Sequence, residues 1–490
     1  MEYLIQNVYK MIDSTQKSYQ HFIRLKLLCC NFGLPNLIGW LVVCIRCNFK
    51  RFVIVTSLKN IFNISYPILL TLIAQNIINV TNTAFLGRVG EVELGASAIG
   101  GVFYFAIYMV GFGFSQGAQI LIGRRNGEGN FAQIGQIFNN ALIFNFLLSL
   151  FIFGLSVYGV PAIMKFAVSS PEVFAATKAY MDWRIYGYLF AFLNAVFRAY
   201  YVGVTQTRVL TVSAILTAIT NILFDYLLIF GNHGFPKLGI EGAGISSVLA
   251  EVVTLIYVII YTFLKADLKK YGLFIFRKVD VKTILQILEL SVFIMFQYFI
   301  SISTWFMFFV FIEHMGERPL AVSNIGRSLY VLLMIPASAL GTTTNTLVSN
   351  LIGAGQQDSV RSFIHKMSKI SILSALPFVL ITLLFPHFFA HIYTDDAGLI
   401  EACLPIVRIV AVANLVFALT YIIFNGVSGT GNTRTAFAIE VITLVFYIVY
   451  VYLTALVWHS STAVVWLSEF VYWSLVGVMG YIYLWKGNWR

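Results

Sequence analysis

Long apolar runs dominate this chain and limit what it can fold into. Twelve of them, each of about twenty or more residues, lie at 61–86, 95–122, 137–159, 180–202, 208–230, 241–264, 284–312, 320–349, 369–391, 401–425, 435–458 and 462–485. A lipid bilayer offers no water to backbone N–H and C=O groups, so each run must close its hydrogen bonds on itself as a helix. Composition points the same way. With 59% hydrophobic and 11% charged residues, the chain carries less than half the charge of an ordinary soluble protein, about 25%. The net charge of +11 would suggest a nucleic-acid partner in a soluble protein. Here the basic residues gather in loops, and no nucleic-acid partner is expected.

Much of the sequence occurs twice. FRAYYVGVTQTR (Phe197 to Arg208) is echoed by FNGVSGTGNTR (Phe424 to Arg434), with Gly203, Thr207 and Arg208 lying 226 positions before Gly429, Thr433 and Arg434. GEVELGASAIGG from Gly90 and GERPLAVSNIGR from Gly316 share that offset, as do Gly127 and Gly129 with Gly353 and Gly355. One offset at three separate places indicates a duplication of a six-helix unit.

The basic residues set the expected topology. With both termini in the cytoplasm, that side holds Arg124, Arg125, Arg208, Lys265, Lys269, Lys270, Lys282, Arg361, Lys366, Arg434 and Lys486, among others. The other side holds only Arg88, Lys165, Lys178, Lys237 and Arg318, the bias of the positive-inside rule. Six is an even number, so the repeats enter the membrane from the same side and are parallel. The expected architecture is therefore an all-α integral membrane protein of twelve helices. It comprises an N-terminal lobe at 56–265, a cytoplasmic linker at 266–283 and a C-terminal lobe at 284–490. Residues 1–55 stand outside the repeat and read as an interfacial arm or a mis-called translation start. Cys29, Cys30, Cys44 and Cys47 crowd that arm without two properly spaced pairs, so no metal site is expected.

PILLTLIAQNIINVTNTAFLGRVG, ILIGRRNGEGN, GVTQTR and NILFDYLLIFGNHGFPKLGIEGAGISSVLAE in the first half, with WFMFFVFIEHMG, SNLIGAGQQ, IYTDD and GVSGTGNTR in the second, resemble the multidrug and toxic compound extrusion transporters. The resemblance covers about residues 60–485. It implies a V-shaped bundle that exports amphipathic, often cationic compounds in exchange for H⁺ or Na⁺, with no other cofactor. It also implies a multi-pass monomer in the inner (cytoplasmic) membrane.

An acid kept inside a membrane costs a few kcal/mol and is a functional candidate. Asp225 in the fifth span is the foremost, with Asn221 one turn earlier on the same helical face. The resemblance adds a hydroxyl in the sixth span, by position Ser247. It also implies an acid in the first span, where this chain has Asn82. Asparagine takes up no proton but can offer a carbonyl to a cation. Glu251, Glu440 and Glu469, with Gln75, Asn194, Gln297 and Trp305, are candidates to line a substrate cavity. The NGEG and IGAG glycines read as helix-ending turns, since no strand precedes them and no Lys-Ser/Thr follows. A flippase for a lipid-linked oligosaccharide is the alternative reading. An integral-membrane enzyme would need a clustered nucleophile, base or metal set, and the sequence offers none.

Overall fold

The computed structural model describes residues 57–487 and 489, apart from 169, 277 and 278. The N-terminal arm lies outside the described residues. Residues Ile61–Arg490 form one compact unit that contains both halves of the duplication.

The first half runs α1 (Leu58–Gly87), α2 (Glu91–Glu128), α3 (Phe131–Ala167), α4 (Pro171–Arg184), α5 (Gly187–Gly203), α6 (Arg208–Phe230) and α7 (Ile240–Lys265). One turn of helix, α8 (Leu268–Tyr271), opens the connection to the second half. That half comprises α9 (Val281–Glu313), α10 (Glu317–Gly353), α11 (Ser359–Leu384), α12 (Pro386–His391), α13 (Ala397–Gly429), α14 (Thr433–Tyr452), α15 (Thr462–Trp466) and α16 (Ser468–Lys486). Among the described residues, eleven helical segments are long and apolar enough to cross a bilayer. The twelfth crossing is α4 with α5, and here the structure departs from the continuous span expected at 180–202.

The cause of that break is visible. At Ile185 and Tyr186 the ladder tightens into three-residue bonds, Tyr186 N to Trp183 O and Tyr188 N to Ile185 O, a 3₁₀-type junction. A Cβ on Gly187 would lie 2.3 Å from an Arg184 nitrogen, 2.6 Å from Glu251 Oε2 and 2.7 Å from the Tyr104 hydroxyl. A partly buried ion pair thus fills the space that a side chain at the junction would occupy. Its counterpart 226 residues on, α13, has no such pair and is unbroken.

Each half has its own core. Tyr104, Tyr180, Met181, Tyr188, Phe192 and Ile229 pack together in the first, and Phe308, Tyr330, Val407, Val410, Tyr447 and Trp466 in the second. Most hydrogen bonds between the lobes cluster at one end, where α2 and α10 finish, and Ser291 on α9 adds one farther back along α2. Gln119 Nε2 donates to Thr346 Oγ1 (3.1 Å), Asn126 Nδ2 to Asn350 Oδ1 (2.7 Å), Ser349 Oγ to Ile120 O (2.6 Å) and Ser291 Oγ to Phe114 O (3.0 Å). The basic residues Arg124, Arg125, Lys265, Arg434 and Lys486 mark the same end.

Two glycines allow this approach. A Cβ on Gly127 would sit 2.0 Å from Asn350 O, and one on Gly353 would sit 1.9 Å from Arg124 O. These are backbone atoms and cannot swing aside. The glycines that follow, Gly129 (φ 75°) and Gly355 (φ 72°), take the left-handed turn that ends each helix, as the NGEG and IGAG motifs imply.

The connection between the halves is docked. Asn139 Nδ2 donates to Gly272 O and its Oδ1 accepts from Phe274 N, while Asn140 Oδ1 accepts from Asp280 N and Gln136 Nε2 donates to Asp280 Oδ2. Asp280 also begins α9, accepting from Lys282 N and the Thr283 hydroxyl. The Thr283 bond is the main reason its carboxyl stays below the usual carboxylate range.

Gly353→Leu should prevent closure at the basic end, because overpacking against fixed backbone costs about 1–3 kcal/mol or forces the elements apart. Spin labels placed one per lobe at this end should report a longer distance than in the parent protein. An unchanged distance distribution would show that α2 and α10 do not depend on this approach.

Candidate functional site

Asp225 lies about a turn and a half before the C-terminal end of α6 and is fully buried (0% exposed). Its neighbours come from three helices. Ser246 on α7 donates its hydroxyl to Oδ1. Asn82 on α1, with its amide nitrogen turned toward the acid, donates to Asp225 Oδ2 and reaches Asn221 Oδ1 (2.9 Å) and Ile78 O (3.1 Å). Asn221 Nδ2 donates to Ser247 Oγ (3.3 Å). The structure therefore brings Asp225, Asn221, Asn82 and Ser247 into one cluster and adds Ser246, which sequence reasoning missed. Ser247, not bonded directly to the acid, is linked to it only through Asn221 and then Asn82. The adjacent serines ISS were a signal, but only helix phase decides which one faces α6. No ion pair reaches Asp225 among the described residues.

A second acid on α7 has a different environment. Arg184 Nη2 donates to Glu251 Oε1 at 2.9 Å, and Tyr104 on α2 donates to the same carboxylate at 3.0 and 3.2 Å. The guanidinium also lies 3.5 Å over the Tyr104 ring, a favourable cation–π position. Asn194 Nδ2 donates to the Glu251 backbone carbonyl (3.0 Å). Glu251 and Asn194 are thus bonded within their own lobe.

The second lobe repeats part of this arrangement without the cation. Tyr330 lies 226 positions after Tyr104, and Val410 lies 226 after Arg184. Glu469 on α16 accepts from Tyr447 (3.3 Å), and the polar atoms of Tyr330, Trp473 and Trp305 also face it. Glu440 on α14 accepts from Ser301 and from the Tyr472 hydroxyl. Both acids are buried and have hydroxyl or indole partners in place of an arginine. Gln75 is exposed on α1, and Gln297 is half-buried on α9. Among the described residues, no three His, Cys, Asp or Glu side chains form a metal-binding group.

Two stretches, residues 67–227 and 293–453, match the MatE family. Their starts and their ends are each 226 residues apart, so each lobe is one copy of the family unit. The chain belongs to the MatE family. Membership places it among membrane transporters. It is 24% identical over 388 residues to a probable multidrug resistance protein NorM of Thermotoga maritima, covering 79% of this chain and 83% of that one. It is 24% identical over 345 residues to a probable NorM protein of Pasteurella multocida, covering 70% and 74%. Among solved structures, the fold resembles an outward-facing multidrug resistance MATE family transporter of the MOP superfamily (TM-score 0.81, 17% identity, 87% of this chain and 94% of that one). It also resembles a MOP superfamily transporter from Pyrococcus furiosus described as having a binding pocket of reverse polarity (TM-score 0.80, 17% identity, 89% and 97%).

Arg184→Gln would leave Glu251 without its counter-charge; breaking a fully buried pair costs roughly 3–5 kcal/mol, and this pair, partly exposed, should cost less. The melting temperature in detergent should fall clearly, and Arg184→Gln with Glu251→Gln should recover most of the loss. Equal destabilisation by single and double variants would mean that the pair does not act as a unit.

Proposed function

We propose that this transporter exports amphipathic or cationic compounds by alternating access, driven by entry of H⁺ or Na⁺ at Asp225. The observation that carries this reading is a fully buried carboxylate held only by neutral donors. A buried negative charge without a counterion is poorly stabilised in low dielectric. Taking up a proton or a monovalent cation relieves that cost, so the site has affinity for cations and little for anions. Asp225 supplies the charge. Asn221 can add its amide oxygen, and Ser246 and Ser247 can add hydroxyl oxygens. Asn82 currently turns its nitrogen toward the acid, so its carbonyl would meet a metal ion only after the amide rotates by half a turn. A proton needs no such rotation.

Cation entry alters transport only through different affinity in two states. The cluster joins α1, α6 and α7, so a change in its bonding bears directly on how α1 sits against the other two. With the basic end taken as cytoplasmic, the lobes are joined at the cytoplasmic side, the arrangement expected of an outward-facing state. The names of the relatives support multidrug compounds as the substrate class. Localisation to the cytoplasmic membrane, with both termini inside, is part of the same proposal.

Ethidium movement in oriented proteoliposomes, driven separately by a pH gradient and a Na⁺ gradient, tests this reading. One gradient should drive the dye in the parent protein, and Asp225→Asn should lose that response. Ser246→Ala should retain transport but change the concentration of the driving ion at half-maximal rate. Dye movement unaffected by Asp225→Asn would relocate coupling to another acid. Absence of movement under either gradient would favour a flippase for a lipid-linked substrate.

A further inference from the structure

The duplicated motif that ends the fourth crossing is built differently in the two lobes. In the first lobe Thr207 is buried, and its hydroxyl donates to Asn63 O and Ile64 O on α1 (3.2 and 3.1 Å). Its repeat partner Thr433 is also buried (2% exposed), yet its hydroxyl has no hydrogen-bond partner. Where α1 seals against Thr207, a cavity of about 400 Å³ separates Thr433 from α9.

The facing residue differs in parallel. Asn350 and Arg124 are related by the repeat, and each reaches across to the other lobe. Asn350 Nδ2 donates to Gly203 O (3.2 Å), and Arg124 Nη2 donates to Thr430 O (2.7 Å). Arginine brings a charge and further donors, and its Nε has no partner. Gly431 (φ 86°) comes so close to the guanidinium that a Cβ there would meet Nη2 at 3.0 Å. The matching position in the first lobe is Thr205.

Arg124, Thr433, Arg434 and Tyr483 line the cavity together, with Glu289 on the α9 wall. The Tyr483 hydroxyl is likewise unpartnered. Arg434 is exposed and paired with Glu289 at 3.1 Å, so Arg124 supplies the charge that no ion pair among the described residues offsets. The twenty-residue helix α14 begins at Thr433, with Asn432 capping Thr435 N, and its first residues line the cavity, so the positive end of the helix lies beside it.

We propose that this cavity binds an oxyanion of the phosphate class, held by Arg124, Arg434, the Thr433 and Tyr483 hydroxyls and the start of α14, and that the bound anion locks the basic end closed. Arg124 is the first lobe's contribution, and the remaining ligands belong to the second. Parting the lobes at this end removes Arg124 and dismantles the site, so the anion binds the closed state better and shifts the population toward it. The same chemistry fits free phosphate or the headgroup of an anionic lipid. The inference does not depend on which ion drives transport.

The test uses the full chain in phosphatidylcholine nanodiscs, titrated with inorganic phosphate against chloride at matched ionic strength. Readouts are the melting temperature and a spin-label distance across the lobes at the basic end. Phosphate should raise the melting temperature saturably and narrow the distance distribution toward the closed state, and chloride should do neither. Arg124→Gln should raise the half-saturating concentration about tenfold or more, the loss expected for one charge-assisted contact. Thr433→Val, nearly isosteric, should weaken binding in the same direction and covers the case in which Arg124→Gln misfolds. Arg125→Gln, which alters a pair with Glu128 outside the cavity, should leave the response intact. A second set of discs containing phosphatidylglycerol, without phosphate, separates the sources: stabilisation lost in both cavity variants would identify a lipid headgroup as an occupant. Equal effects of phosphate and chloride together with no effect of phosphatidylglycerol, or full responses in Arg124→Gln and Thr433→Val, would overturn the proposal.

Discussion

The approach of α2 and α10 at Gly127 and Gly353 holds this architecture together. Two lobes, each with its own aromatic core, are joined where α2 packs on α10, with backbone against backbone at these two glycines, and on α9, where Ser291 bonds Phe114 O. In a bilayer, apolar burial gives little drive to hold helices together, because lipid tails are as apolar as leucine. Close packing and interhelical hydrogen bonds must serve. Small residues allow the first, and Gln119, Asn126, Ser349 and Asn350 supply the second. Such a joint can separate without exposing a core, which suits the proposed alternating access.

Within that frame the lobes are alike in backbone and unlike in charge. The first lobe binds Glu251 to Arg184 and breaks its fourth crossing to make room. The second has Val410 at the matching position, keeps α13 continuous and surrounds Glu469 with hydroxyls and indoles. A paired acid is expensive to disturb, since removing either partner leaves a buried charge. An acid with only neutral partners can change its protonation or take up a cation with less rearrangement. Asp225, Glu440 and Glu469 belong to this second kind, and Glu251 does not. The same divergence marks the basic end, where Thr207 and Asn350 are satisfied while Thr433 and Arg124 retain unused bonding capacity.

Much of this was legible in the residues. Apolar runs and the absence of water in lipid dictate helices, and the recurring offset of 226 dictates two copies of one unit. Asp225 with Asn221 was readable because a one-turn spacing puts both on one face. The glycine motifs were readable as helix ends because glycine is the residue that takes the left-handed turn at little steric cost. What could not be read was partnership across helices. Ser246 and Ser247 are adjacent in sequence, and only the rotation of α7 against α6 sends Ser246 to the acid. Nothing in the spacing of Arg184 and Glu251 announces an ion pair, because 67 residues separate them.

The sequence by itself determined a membrane protein of two parallel helical repeats and placed its acids within particular apolar runs, because hydrogen bonding in lipid and helical period are local constraints. The tertiary structure alone decided which acids are neutralised, which hydroxyl meets which carboxylate and where the lobes touch. Those outcomes depend on distances between helices far apart in the chain, which are set by the packing of whole surfaces.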